Sequence, residues 1–88
     1  MKEEFELLED SEFGILNLHD IIVIGVVIED KNLVSFGVWL KGNTYLSSYY
    51  TFQPRDEYSD KKYQIDSMRR RRETIVDKWK KAKGYDNR

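Results

Sequence analysis

With 88 residues, no cysteine and a formal net charge of −1 at pH 7, the chain reads as one small domain (residues 1–88) without disulfides, thiolate metal sites or a cysteine nucleophile. The charge is split, with 4 Lys/Arg against 12 Asp/Glu in residues 1–60 and 11 against 4 in residues 61–88. That asymmetry suggests a charged partner, or opposite ends of two copies meeting. The longest apolar run, Ile21 to Ile28, is too short to cross a bilayer, and the acidic start lacks the basic opening of a signal peptide. A cytoplasmic protein without membrane contact is therefore the expectation.

Residues 1–12 alternate acids with Phe5, Leu7 and Leu8, and read as a short strand. Asp10-Ser11 suits a turn into a second short strand over Phe13 to Leu18, and His19-Asp20 then interrupts as a turn or bulge. From Ile21 to Phe52, β-branched and aromatic runs are broken twice by turn residues, the pattern of a three-strand antiparallel meander. Asp30-Lys31-Asn32 suits a three-residue loop, which sets Gly25 opposite Gly37. Gly42-Asn43 suits a two-residue type II′ loop, which sets Trp39 opposite Leu46 and Phe36 opposite Tyr49.

On that register both faces of the sheet are apolar. One carries Ile22, Ile24, Val26, Ile28, Val34, Phe36, Val38 and Leu40 with Tyr45 and Tyr49; the other carries Ile21, Val23, Val27, Leu33, Trp39, Leu46, Tyr50 and Phe52. A sheet of this kind needs a cover on each side.

Pro54 marks the exit from the sheet, and Asp56 and Ser59 are candidate N-caps. A helix is expected from Ser59 to Lys83, with Gly84 in the C′ position and a frayed tail at 85–88. Its apolar stripe is Tyr58, Ile65, Met68, Ile75, Trp79 and Ala82, interrupted at the centre by Arg72. The expected fold class is α+β: residues 1–54 mainly β, an antiparallel meander of four to five strands, then one long helix over 55–84 packed on the sheet.

Two constellations stand out. Arg69-Arg70-Arg71-Arg72, followed by Lys78, Lys80 and Lys81, makes a basic helix suited to nucleic-acid phosphates, although four consecutive residues span about 300° and cannot share one face. A solvated helix surface is the plain alternative. Trp39, Tyr49, Tyr50, Arg72 and Trp79 are the residue types enriched in protein–protein interfaces, and Arg72, set in an apolar stripe, needs a carboxylate or carbonyl partner. His19-Asp20 has no nucleophile beside it, and the chain carries no phosphate-binding glycine loop and no metal-ligand spacing.

The reading is thus a non-enzymatic, cofactor-free and metal-free binding protein, an accessory or inhibitory regulator working through protein–protein contacts. A homodimer is expected, because the helix covers one apolar face and leaves the other. The alternative is a nucleic-acid-binding protein using Arg69 to Arg72 and the following lysines.

Overall fold

The computed structural model describes residues 5–84. The beginning of the first strand-like segment (1–4) and the tail (85–88) lie outside the described residues. The fold is α+β. A hairpin of β1 (Leu7–Asp10) and β2 (Gly14–Asn17) leads through one 3-10 turn (Leu18–Asp20) into β3 (Ile21–Ile24), β4 (Ile28–Glu29), β5 (Leu33–Leu40) and β6 (Thr44–Thr51). The last of the described elements is helix α1 (Tyr58–Lys83). β5 is the central strand of the main sheet, with β6 antiparallel on one side and β3 and β4 end to end on the other. Among the described residues no helix is long and apolar enough to cross a membrane.

Local chemistry explains the joints. The Asp10 carboxylate accepts the backbone N–H of Glu12 and Phe13, both at 2.9 Å, and so closes the β1–β2 turn. Asn17 Oδ1 accepts the N–H of Glu6 and of His19, both at 3.2 Å, which tightens the 3-10 turn. At the start of α1 the Asp60 carboxylate accepts the N–H of Glu57, so the cap lies between the expected Asp56 and Ser59. Gly84 ends the helix with φ +82, the left-handed geometry expected of it.

Helix and sheet form two layers, with the small hairpin beside the helix. The core between them is Leu16, Leu18, Ile21, Val34, Phe36, Val38, Met68 and Ile75. The molecule measures 54 × 30 × 18 Å, so its thin dimension holds one sheet and one helix layer, with no second cover among the described residues.

The register departs from expectation in three places. Thr44 pairs with Leu40, so the loop is Lys41-Gly42-Asn43, with Gly42 at φ +83 and Asn43 at φ +61. Trp39 therefore faces Tyr45 rather than Leu46, and Phe36 faces Ser48 rather than Tyr49. A slip of one residue exchanges the two faces of a strand. Leu46, Ser48 and Tyr50 point to the helix, and Tyr45, Ser47 and Tyr49 point away. Second, an irregularity between Ile21 and Val23 brings both Ile21 and Ile24 to the core side and leaves Ile22 exposed. Third, Asp30 N–H bonds Leu33 C=O, so that loop has two residues, Lys31-Asn32, and Ile28 faces Ser35 on the outer side. The extra residue is absorbed between β3 and β4. Gly25 nevertheless lies against Gly37 as expected, its N–H bonding Gly37 C=O at 2.8 Å.

Candidate partner-binding face

The helix side of the sheet is closed by specific polar ties as well as by the core. Where β3 ends, the Gly25 C=O accepts the Nε of Arg72 at 2.6 Å. The arginine in the apolar stripe thus finds the carbonyl partner that its position requires, and it holds the break between β3 and β4. Four residues before the helix ends, Trp79 Nε1 donates to Ile21 C=O at 3.1 Å. Tyr50 is half-buried against the same core, with its ring 6.0 Å from that of Phe52.

Arg71 anchors the N-terminal hairpin. Its Nε and one terminal nitrogen bond the two oxygens of Asp10 at 3.2 and 2.7 Å, and the other terminal nitrogen bonds Ser48 Oγ at 2.8 Å. Its guanidinium lies 5.4 Å from the ring centres of both Phe13 and Phe36. Burial by itself raises the Asp10 carboxyl. The Arg71 hydrogen bond, the N–H groups of Phe13 and Glu12 and the Arg71 charge outweigh it and hold Asp10 below its ordinary value of 3.8. Buried charges survive only with such partners.

Three of the four arginines of the basic helix are therefore engaged within the molecule. Arg69 pairs with Glu29, Arg71 with Asp10 and Ser48, and Arg72 with Gly25. Arg70, Lys78, Lys80 and Lys81 remain on the solvent side, where Glu73 and Asp77 lie among them at helical spacing. His19 also has company: its Nε2 lies 3.0 Å from Glu6 Oε1. Among the described residues no cluster of three or more His, Cys, Asp or Glu is placed to hold a metal ion.

The opposite side of the sheet is different. Val23, Ile28, Trp39, Tyr45 and Tyr49 all lie there and all are exposed, Tyr49 at 66 % and Trp39 at 46 %. Tyr45 folds back across Gly37 and meets Trp39, ring centres 4.5 Å apart and planes tilted by 41°. A Cβ on Gly37 would collide with the Tyr45 ring and hydroxyl, so glycine at 37 is what lets the aromatic pair lie flat. Between and around the large side chains this face offers Leu33, Ser35, Ser47 and Thr51. No Asp, Glu, Lys or Arg of β5 or β6 points to it. With about half or more of each large side chain open, the patch is on the order of 500 Å², at the upper end of what soluble monomers expose.

Of the five expected anchors, the structure thus places Trp39 and Tyr49 on the open face and Tyr50, Arg72 and Trp79 at the helix–sheet junction. Val23, Ile28 and Tyr45 belong to the open face and were not among them. The signal for Tyr45 lies in Gly42-Asn43, two residues that both tolerate positive φ and therefore also fit the longer loop. A separate groove of about 340 Å³ runs between the first turns of α1 and the Glu29–Lys31 turn, lined by Phe52, Tyr58, Lys61 and Arg69 among others. Its lining mixes both charges with aromatics and converges on no single chemistry. No protein-family model, no curated protein and no solved structure matches this chain, so its function is argued from this geometry.

Proposed function

We propose that this chain is a small non-enzymatic binding protein of the cytoplasm that acts through protein–protein contacts, as an accessory or inhibitory regulator of a partner macromolecule, and that it works as a homodimer. One observation carries the reading. The sheet has an uncharged outer face of Trp39, Tyr45, Tyr49, Val23 and Ile28, and among the described residues nothing lies over it. Interface centres have this composition, rich in Tyr and Trp and depleted of charge. Trp39 and Tyr45 already rest on each other and Gly37, so docking a partner on them orders little that is loose.

The test starts from a partner recovered from source cells and purified. Binding of that partner to the chain is then measured with pure components for the parent, Trp39→Ser and Tyr49→Ser. A central hot spot is worth about 2 kcal/mol or more, so each substitution weakens binding by roughly 30-fold, with a cooperative melt retained. Equal binding by parent and both variants would refute this reading. So would binding that instead follows Arg70, Lys78 and Lys81 and is competed by oligonucleotides.

A further inference from the structure

The phase of the hydrogen bonds in the sheet determines which backbone groups of its outermost strand are free. Phe52 N–H bonds Asn32 C=O at 2.8 Å, and the β5–β6 register continues in step from there. Antiparallel pairs alternate between bonded and non-bonded. Thr44, Leu46, Ser48 and Tyr50 therefore bond β5, and Tyr45, Ser47, Tyr49 and Thr51 direct their N–H and C=O groups outward. The other side of β5 agrees, with Gly25 bonded to Gly37 and Asp30 to Leu33. Along the outward row, among the described residues, only Thr51 C=O has a partner, the Gln53 side-chain amide at 3.4 Å.

Such an edge is a template for another strand, and proteins ordinarily blunt it with Lys, Pro, a bulge or a short length. The opposite edge of this sheet is blunted. It is interrupted at Ile22 and again between β3 and β4, and the Gly25 C=O at that break is taken by Arg72. β6 has none of these devices. It runs unbroken from Thr44 to Thr51, in register with β5 throughout, and contains no charge and no proline.

We infer that β6 is the dimer interface: it pairs antiparallel with β6 of a second copy, across a two-fold axis at Ser48, to form one continuous sheet. The inference rests on the homodimer part of the proposed function and names its surface. The row is its own complement. An axis at Ser48 sets Ser47 opposite Tyr49 and Tyr45 opposite Thr51 in both directions, so the outward-bonding residues meet one another. The strand itself is uncharged, so the paired segments bring no like charges together, while Glu12 of the hairpin turn lines a recess with Ser48 and Tyr49 on the helix side. The axis stands across the sheet, so both helices fall on one side and the two Trp39–Tyr45–Tyr49 patches on the other. Pairing thus joins two open faces into one of twice the area.

Ser47 is the residue to change, because its N–H points outward and it faces Gly37 on the open side. Proline there removes a docking donor and no internal ladder bond. By sedimentation equilibrium at micromolar concentration, the parent has twice the 10.6 kDa mass of one chain, and Ser47→Pro has the mass of one chain with its far-ultraviolet spectrum and a cooperative melt retained. Ser47→Lys is the second arm. Two lysines near the axis weaken the dimer at low salt, and raising the salt restores it. Hydrogen exchange reads the same contact, since protection of the Ser47 and Tyr49 amides rises with protein concentration. A monomeric parent would overturn the inference, and so would two dimeric variants. A dimer lost on Trp39→Ser but kept in Ser47→Pro would place the contact on the open face instead, leaving the homodimer intact and the edge refuted. A monomer whose partner binding still depends on Trp39 would refute the edge and spare the binding function.

Discussion

Replacing Arg71 with leucine removes the tie between hairpin, sheet and helix and leaves a buried carboxylate behind. Asp10 is 7 % exposed at its side chain and Arg71 18 %. The variant strips Asp10 of two charge-assisted bonds and Ser48 of one, while the turn amides of Glu12 and Phe13 stay. Breaking a buried pair on one side costs about 3–5 kcal/mol, and the remaining amide bonds place this case near 3. In a domain of this size that lowers Tm by roughly 12–24 °C. The dependence on pH is the sharper part. Asp10 is held below 3.8 in the folded parent, so its contribution is present above about pH 4 and is lost as the pH falls through the folded value. Thermal melts of parent and Arg71→Leu from pH 7 down to pH 3 therefore converge toward acid, because the orphaned carboxyl becomes neutral. A loss under about 1 kcal/mol at pH 7, or a gap that does not narrow on acidification, would refute the role given to this pair.

Three other outcomes follow from the same geometry. Gly37→Ala drives the Tyr45 ring off the strand and away from Trp39, which shifts the tryptophan fluorescence while the helix content by circular dichroism holds; an unchanged emission spectrum contradicts the packing. Gly42→Val forces a β-branched residue to φ +83 and costs on the order of 1–2 kcal/mol in a thermal melt. Unaltered stability would remove the turn. Labelled duplex and single-stranded oligonucleotides, titrated at two salt concentrations, bind weakly and with a shallow salt slope, since three of the four arginines are engaged and Glu73 and Asp77 lie among the free cations. Tight, salt-steep binding abolished by Arg70→Ala with Lys81→Ala would move the function to the helix.

Much of this architecture was legible in the sequence, for reasons that differ by element. The helix announced both its ends, through the cap candidates Asp56 and Ser59, which flank the observed cap at Glu57, and through Gly84, and it runs from Tyr58 to Lys83. The Asp10-Ser11 turn was readable from turn chemistry, whereas the Gly25–Gly37 contact follows from a loop one residue too long and holds only because that residue is absorbed between β3 and β4. Face assignment was not legible, because it hangs on single residues. Gly42-Asn43 fits a two-residue loop and also the end of a three-residue one, and the choice inverts all of β6. The irregularity at Ile22 sits in an unbroken aliphatic run with no local mark. Arg72 was recognised as needing a partner, but a backbone carbonyl 47 residues away leaves no trace in sequence. The same holds for Arg71, one of four adjacent arginines, whose carboxylate is 61 positions away. The site inherits these limits: Trp39 and Tyr49 belong to it because of the register, and Tyr50 left it for the same reason.

The register is therefore the claim on which the open face, its aromatic pair and the free edge all depend. It can be read directly from nuclear Overhauser contacts between Hα protons across β5 and β6, which are closest in non-hydrogen-bonded pairs. The structure requires such contacts between Trp39 and Tyr45 and between Ser35 and Tyr49. Contacts joining Trp39 to Leu46 would contradict it, turn Tyr45 and Tyr49 toward the helix, and take the proposed binding face with them.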